Sequence, residues 1–189
     1  MENELLQTNE EKKPQKDSLF EIFSTVELLA FAAAVILLFF SFVARITVVE
    51  GGSMENTLLG GDKLIVSDLF YSPDRGDIVI LHAPNLNKGE PIVKRIIAVE
   101  GDTVAIRKDG VYVNGERLHE TDGSLGYTAE DFVYQPKAEQ VIGKGKIFVL
   151  GDHRSVSYDS RAFGQVDASA VIGKVLFRIS PLSAFGGVD

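Results

Sequence analysis

The chain has 189 residues, room for one ordinary domain and an appendage, and 45% of them are apolar, enough for a core. A formal net charge of −8 argues against a phosphate-neutralising surface, so nucleic-acid binding is set aside. The absence of cysteine excludes disulfides, thiolate nucleophiles and Cys-ligated zinc.

Residues 1–27 set seven carboxylates against Lys12, Lys13 and Lys16, a local charge of −4. With few large apolar side chains, residues 1–25 are expected to form a disordered tail. Leu28 to Ala44 then runs for seventeen residues without a charge, proline or glycine. As a helix it would span roughly 25 Å, a little short of the ~30 Å hydrocarbon core of a bilayer. Adding Val26, and letting Glu27 reach the headgroups, closes the gap, with Arg45 at the far interface. A buried core helix would carry a polar face. A cleaved leader would want a short basic start and a small-residue exit, where Phe42 stands instead. The expectation is an uncleaved transmembrane helix over 26–44, one crossing of a lipid bilayer. Charge gives little orientation, and the N-terminus is expected inside because long C-terminal domains translocate largely regardless of charge.

From residue 45 to 189 short β-branched runs alternate with turn residues. Strands are predicted at Ile46–Val49, Lys63–Val66, Asp77–Leu81, Ile92–Val99, Thr103–Ile106, Gly110–Val113, Lys146–Leu150 and Ile172–Ile179. Asp109-Gly110 and Asn114-Gly115 are hairpin-turn dipeptides. No long helical period follows residue 45, so the domain is predicted to be mostly antiparallel β, two packed sheets or a partly open barrel. Residues 119–142 lack alternation and read as a long excursion from the sheet.

Three segments place polar residues in apolar surroundings. In VVEGGSMENTL (residues 48–58) a strand runs into two glycines and Ser53, which permits a sharp turn and close approach to a substrate, although Gly-Gly-Ser is commonly only a turn. In PIVKRIIAVEGD (residues 91–102) Lys94 interrupts an apolar run and shares a strand face with Ile92 and Ile96. Such a lysine either snorkels at an edge or is buried for a purpose. Burial disfavours the ammonium, and a neutral amine can take the proton of a serine hydroxyl. The third segment, GDHRSVSYDSRAFG (residues 151–164), interleaves acids, arginines and hydroxyls as a loop braced by ion pairs would.

Together and in this order, with GDIVIL at residues 76–81, the segments resemble the bacterial type I signal peptidases, over nearly the whole chain from the anchor to about Ser180. The resemblance implies a serine endopeptidase that needs no cofactor, and that removes signal peptides from preproteins after a small residue, with another small residue two positions earlier. It implies Ser53 as nucleophile, Lys94 as general base, and Ser157 as the residue that orients the lysine. Asp152, Arg154, Asp159 and Arg161 match loop charges that brace the site. The partners implied are preprotein signal peptides, held extended against strand edges at Thr47–Gly51 and Pro91–Lys94. Val49, Gly51, Met54, Leu58, Leu64, Ile92 and Val93 are the implied substrate contacts.

Two positions depart from the family pattern. Asn56 stands where a proline is usual, a change expected to soften the turn by less than about 1 kcal/mol. Gly51 stands where a hydroxyl residue often donates to the oxyanion, which leaves the Ser53 amide and an unidentified second donor. His153 beside Asp152 invites a Ser-His-Asp reading. It is rejected because Lys94 occupies the place where the lysine-dependent family keeps its base. His82 and His119 lack metal-ligand spacing with His153. A non-catalytic assembly factor of the same fold would be expected to lack Ser53 or Lys94. A self-cleaving repressor would want a DNA-binding module instead of an anchor.

Overall fold

The computed structural model describes residues 16–55, 57–82, 89–118 and 137–188. Backbone contacts divide the chain into a unit Met1–Phe42 and a unit Val43–Asp189. The described residues of the first, from Lys16 on, lie in one helix, α1 (Lys16–Val43). Its Phe20–Leu38 stretch has a mean hydropathy of 2.0 with no part buried against protein. Leu28, Leu29, Phe31, Val35, Ile36 and Leu37 are all exposed, so the apolar surface runs around the helix rather than along one stripe. That distribution suits lipid better than a protein core. The helix begins well before Val26, and residues 16–25, expected to belong to the tail, are helical. Polar residues fit there because Ser24 Oγ and Thr25 Oγ1 donate to Glu21 O at 3.0 and 2.7 Å, returning their hydroxyls to the helix backbone.

The described residues of the second unit form two antiparallel sheets. Chain order runs β1 (Arg45–Val48), β2 (Lys63–Ser67), β3 (Ile78–Leu81), β4 (Ile92–Ala98), β5 (Thr103–Arg107), β6 (Gly110–Val113), β7 (Glu116–Arg117), β8 (Lys137–Val141) and β9 (Lys146–Leu150). A short helix α2 (Ser160–Phe163) follows, then β10 (Val166–Asp167) and β11 (Val171–Ser180). One sheet has seven strands in the order β1-β2-β11-β3-β4-β9-β10, and the other has four, β7-β6-β5-β8. The eight predicted strands are all present, with ends shifted by a residue or so.

Three strands were missed, β7, β8 and β10. Two of them are two-residue strands, too short to show a period. The third, KAEQV, falls inside the expected excursion, so the end of 119–142 is sheet rather than loop, and residues 119–136 lie outside the described residues. Asn114 (φ 53°) and Gly115 (φ 82°) form the predicted left-handed turn between β6 and β7. At the other hairpin the turn sits one residue earlier than Asp109-Gly110, because Gly110 already pairs with Arg107.

Alternation along the strands distributes side chains among three apolar clusters. Ile78 and Ile80 of β3 join Val49, Met54, Leu58, Leu64, Val66, Val175 and Val188. Their neighbours Val79 and Leu81 face the other way, packing with Ile96, Ile147, Val149 and Val166. Phe148 and Leu150 of β9 pack with Ile97, Val104, Ile106, Val111 and Val113, which ties the seven-stranded sheet to the four-stranded one. Strand β9 is therefore clamped on both faces just before the chain enters residues 151–164. Phe148→Ala, which empties a fully buried site between the sheets, is expected to cost about 3–5 kcal/mol of stability, read from denaturant unfolding of the detergent-solubilised protein.

Candidate active site

After β1 the chain leaves the sheet at Val49, whose N–H donates to Asp62 O at 2.9 Å. A tight turn follows, in which Gly52 O accepts from Glu55 N at 3.1 Å and Met54 O from Leu58 N at 2.8 Å. Met54 and Leu58 are buried in the core, so the residue just before Met54 is presented at the rim of the core. That residue is Ser53.

Lys94 reaches Ser53 from β4, where it pairs opposite Val79 and is 3% exposed. Its Nζ lies 2.6 Å from Ser53 Oγ and 3.0 Å from Val93 O. Burial lowers the amine's pKa from 10.5 to about 8 against the opposing pull of the Asp159 and Asp152 carboxylates, and the Arg161 guanidinium assists the lowering. The amine thus contacts a hydroxyl and a carbonyl, groups that tolerate its neutral form.

The next residue, Arg95, is as buried as Lys94 and makes the opposite bargain. Its Nε and Nη2 donate to the two oxygens of Asp152 at 3.0 and 2.9 Å, a bidentate pair, and its Nη1 to Gly76 O at 2.8 Å. Asp152 Oδ2 also accepts from Thr57 Oγ1 at 2.6 Å. One buried carboxylate therefore joins β4 to the turn that carries Ser53. Arg178 holds the same turn from β11, donating to Thr57 O at 2.9 Å and Asp62 Oδ2 at 3.1 Å.

Residues 151–164 form a second knot. Asp159 caps α2 by accepting from Arg161 N, binds Arg161 Nε and Nη2 at 2.9 Å each, and accepts from Gly151 N at 3.1 Å. Arg161 Nη2 donates to Arg154 O at 2.6 Å, and Arg154 Nε to Gly151 O at 2.8 Å. Gly151 is where this knot meets the Ser53 turn. A Cβ there would collide with the Ser157 side chain and with Ser53 O, so only glycine permits the approach. His153 N donates to that same Ser53 O at 3.0 Å.

A cleft of about 330 Å³ opens beside the pair, lined by Thr47, Val48, Glu50, Ser53, Ile80, Glu90, Pro91, Ile92, Val93 and Lys94. Two strand edges border it. Among the described residues β1 pairs only with β2, and β9 pairs with β4 only from Arg95 onward, leaving Ile92–Lys94 open on that side.

The chain matches the family of signal peptidases, peptidase S26, over residues 22–180. It belongs to that family. Signal peptidase IB of Staphylococcus aureus strain Mu50 is 37% identical, over 84% of this chain and 90% of its own. Signal peptidase I of Bacillus caldolyticus is 42% identical, over 76% and 84%. A signal peptidase I from Enterococcus faecalis V583, known from a crystal structure, is 32% identical over 55% of this chain and 97% of its own, with a TM-score of 0.44. The protein is thus a serine peptidase of the signal-peptide-processing class. Its apolar N-terminal helix fits a membrane-anchored protein.

Within this peptidase the structure brings Ser53 and Lys94 into hydrogen-bond contact and gathers Asp152, Arg154, Asp159 and Arg161 behind them. Ser157 Oγ is buried and has no hydrogen-bond partner among the described residues, and the described bonds of Lys94 Nζ go elsewhere. Of the implied substrate contacts, Ile92 and Val93 line the cleft. Val49, Met54, Leu58 and Leu64 are core residues and Gly51 does not line it. The cleft draws instead on Thr47, Val48, Glu50, Ile80, Glu90 and Pro91. Asn56, the first departure from the family pattern, lies outside the described residues. His153 Nδ1 faces Gly52 O and Glu55 rather than Ser53 Oγ, in keeping with the rejection of a Ser-His-Asp reading.

Arg95 and Thr57 went unassigned in the sequence although both stand inside its motifs. The available signal was a second cation next to Lys94 in an apolar strand, since adjacent strand residues face opposite sides and each buried cation needs its own partner. Asp152→Ala leaves Arg95 charged and unpaired in the interior. It is expected to cost about 3–5 kcal/mol of stability in denaturant unfolding, and activity is expected to fall with the fraction folded.

Proposed function

We propose that Ser53 is the nucleophile and neutral Lys94 the general base of a peptidase that cleaves preproteins after a small residue, with a second small residue two positions earlier. The observation that carries this is the 2.6 Å contact between Ser53 Oγ and a buried amine whose pKa lies near 8. Lys94 Nζ takes the Ser53 proton as Oγ attacks the scissile carbonyl, and the ammonium so formed returns a proton to the leaving amine. Lys94 then activates water to hydrolyse the acyl-enzyme. While the ammonium exists, Val93 O accepts one of its hydrogen bonds, and Ser157, whose hydroxyl lies buried beside Gly151 without a partner among the described residues, is proposed to orient it. Asp152, Arg154, Asp159 and Arg161 brace the site and take no part in proton transfer.

The substrate is proposed to lie extended between the Thr47–Gly51 and Pro91–Lys94 edges, adding a strand to each. Residues two apart in an extended peptide point the same way. The residue before the scissile bond and the one two earlier would therefore face the same wall, on the side to which Val93 points, which demands two small side chains rather than one. Val49, Met54, Leu58 and Leu64 support this wall from the core, against which Val93 packs. In this reading the N-terminus is cytoplasmic, residues 26–44 lie within the bilayer, and the unit beyond works at the outer face of the cell membrane.

Ser53→Ala and Lys94→Ala are each expected to lower cleavage of a preprotein bearing Ala-x-Ala by roughly 10⁴-fold or more, with circular dichroism unchanged. Full processing by either variant would overturn the assignment, as would a bound but uncut preprotein with the wild type. The base is competent only when neutral, and the folded pKa is depressed. Activity should therefore be low in mild acid and rise with pH through about 8. A flat kcat/KM profile from pH 6 to 10 (roughly two units to either side of that value) would exclude Lys94 as the base.

A further inference from the structure

We infer that His153, steered by Glu55, is a positioning residue that aims the Ser53 amide at the oxyanion. The inference rests on Ser53 being the nucleophile. His153 Nδ1 lies 3.0 Å from Glu55 Oε2 and 3.2 Å from Gly52 O. A carboxylate and a carbonyl can only accept, so Nδ1 carries the proton and is shared between them.

Gly52 O belongs to the peptide unit that contains the Ser53 N–H. That unit is trans, as are the other described peptides except Ser180-Pro181, and planar, so its C=O and N–H point in opposite directions. Holding Gly52 O therefore fixes the direction of the Ser53 N–H, which has no backbone acceptor among the described residues. The peptide on the far side of Ser53 is held by the same residue, because Ser53 O accepts from His153 N at 3.0 Å. One histidine thus grips the backbone on both sides of the nucleophile. The turn bond from Glu55 N also ends on Gly52 O, so ring and turn act on one carbonyl.

Glu55 sets the ring. Its carboxylate lies across Gly52 so closely that a Cβ on Gly52 would stand 2.7 Å from Oε1. The His153 and Glu55 side chains are 25% and 47% exposed, and a pair so placed contributes little to stability. Its effect is on geometry. Charge develops on the substrate oxygen only as the tetrahedral species forms, and a donor already aimed there needs no reorganisation. With no hydroxyl at Gly51 to share that task, the aim of the Ser53 amide weighs more heavily in this chain.

The test measures kcat and KM for preprotein cleavage by the detergent-solubilised full chain, with melting temperature recorded for each variant. His153→Ala is expected to lower kcat roughly 10-fold, a fraction of the 10²–10³ lost when an oxyanion donor is removed outright, and to leave KM within about twofold. His153→Asn, which keeps an N–H donor at the Nδ1 position, should recover much of that loss. Glu55→Ala should fall between. A wild-type kcat for His153→Ala would overturn the inference, and so would a loss that Asn does not relieve or that appears equally in KM. If His153→Ala fails to fold, Glu55→Ala decides, and a wild-type kcat there overturns it. Ser53→Ala run in parallel separates the two levels. Activity in that variant sinks the nucleophile assignment, whereas an inactive Ser53→Ala beside an unaffected His153→Ala sinks only the positioning role.

Discussion

A buried lysine can be a base only if nothing nearby insists on its charge, and the interior around Lys94 holds two carboxylates that would. Asp152 and Asp159 both pull the amine toward its ammonium form. Each is occupied by an arginine, Asp152 by Arg95 and Asp159 by Arg161, in two-pronged contacts a lysine could not match. A guanidinium fork matches both oxygens of a carboxylate, so each acid is satisfied without drawing on Lys94. Lys94 is left with a hydroxyl and a carbonyl. The site sorts its cations by chemistry, permanent ones to the carboxylates and the titratable one to the Ser53 hydroxyl.

The same carboxylates also join the pieces. Asp152 ties β4 to the Ser53 turn through Thr57, and Asp159 holds Gly151 where the 151–164 segment meets that turn. Three stretches distant in sequence are fixed to one another by these two side chains. Behind them β9 is packed on both faces, so the segment grows from a strand with little freedom to shift.

Much of this was legible in the sequence where a residue's neighbours constrain it strongly. The apolar run of α1, the β-branched strands and the Asn114-Gly115 turn each follow from a local rule. Ser53 and Lys94 are ambiguous singly and point to chemistry only as a set, and the fold brings the two side chains into contact. Other features have no local signature. KAEQV reads as loop because the pairing that makes it β8 comes from β5. Val49, Met54, Leu58 and Leu64 could have lined a pocket or filled a core, since both want apolar side chains at the same spacing. Only the folded chain shows them turned inward. His153 is similar, because its contacts with Gly52 and Glu55 span about a hundred residues.

The half-open edge of β4 has one more consequence. Arg95–Ala98 are committed to β9, whereas Ile92–Lys94 have no partner on that side among the described residues, so a single strand is structural at one end and available at the other. In the proposed pairing, an incoming peptide joins a ladder whose register is fixed by the sheet itself. Sliding it by one residue would turn every side chain over and set backbone donors against donors. Such an enzyme measures its substrate as a ruler does, by counted steps from a fixed mark.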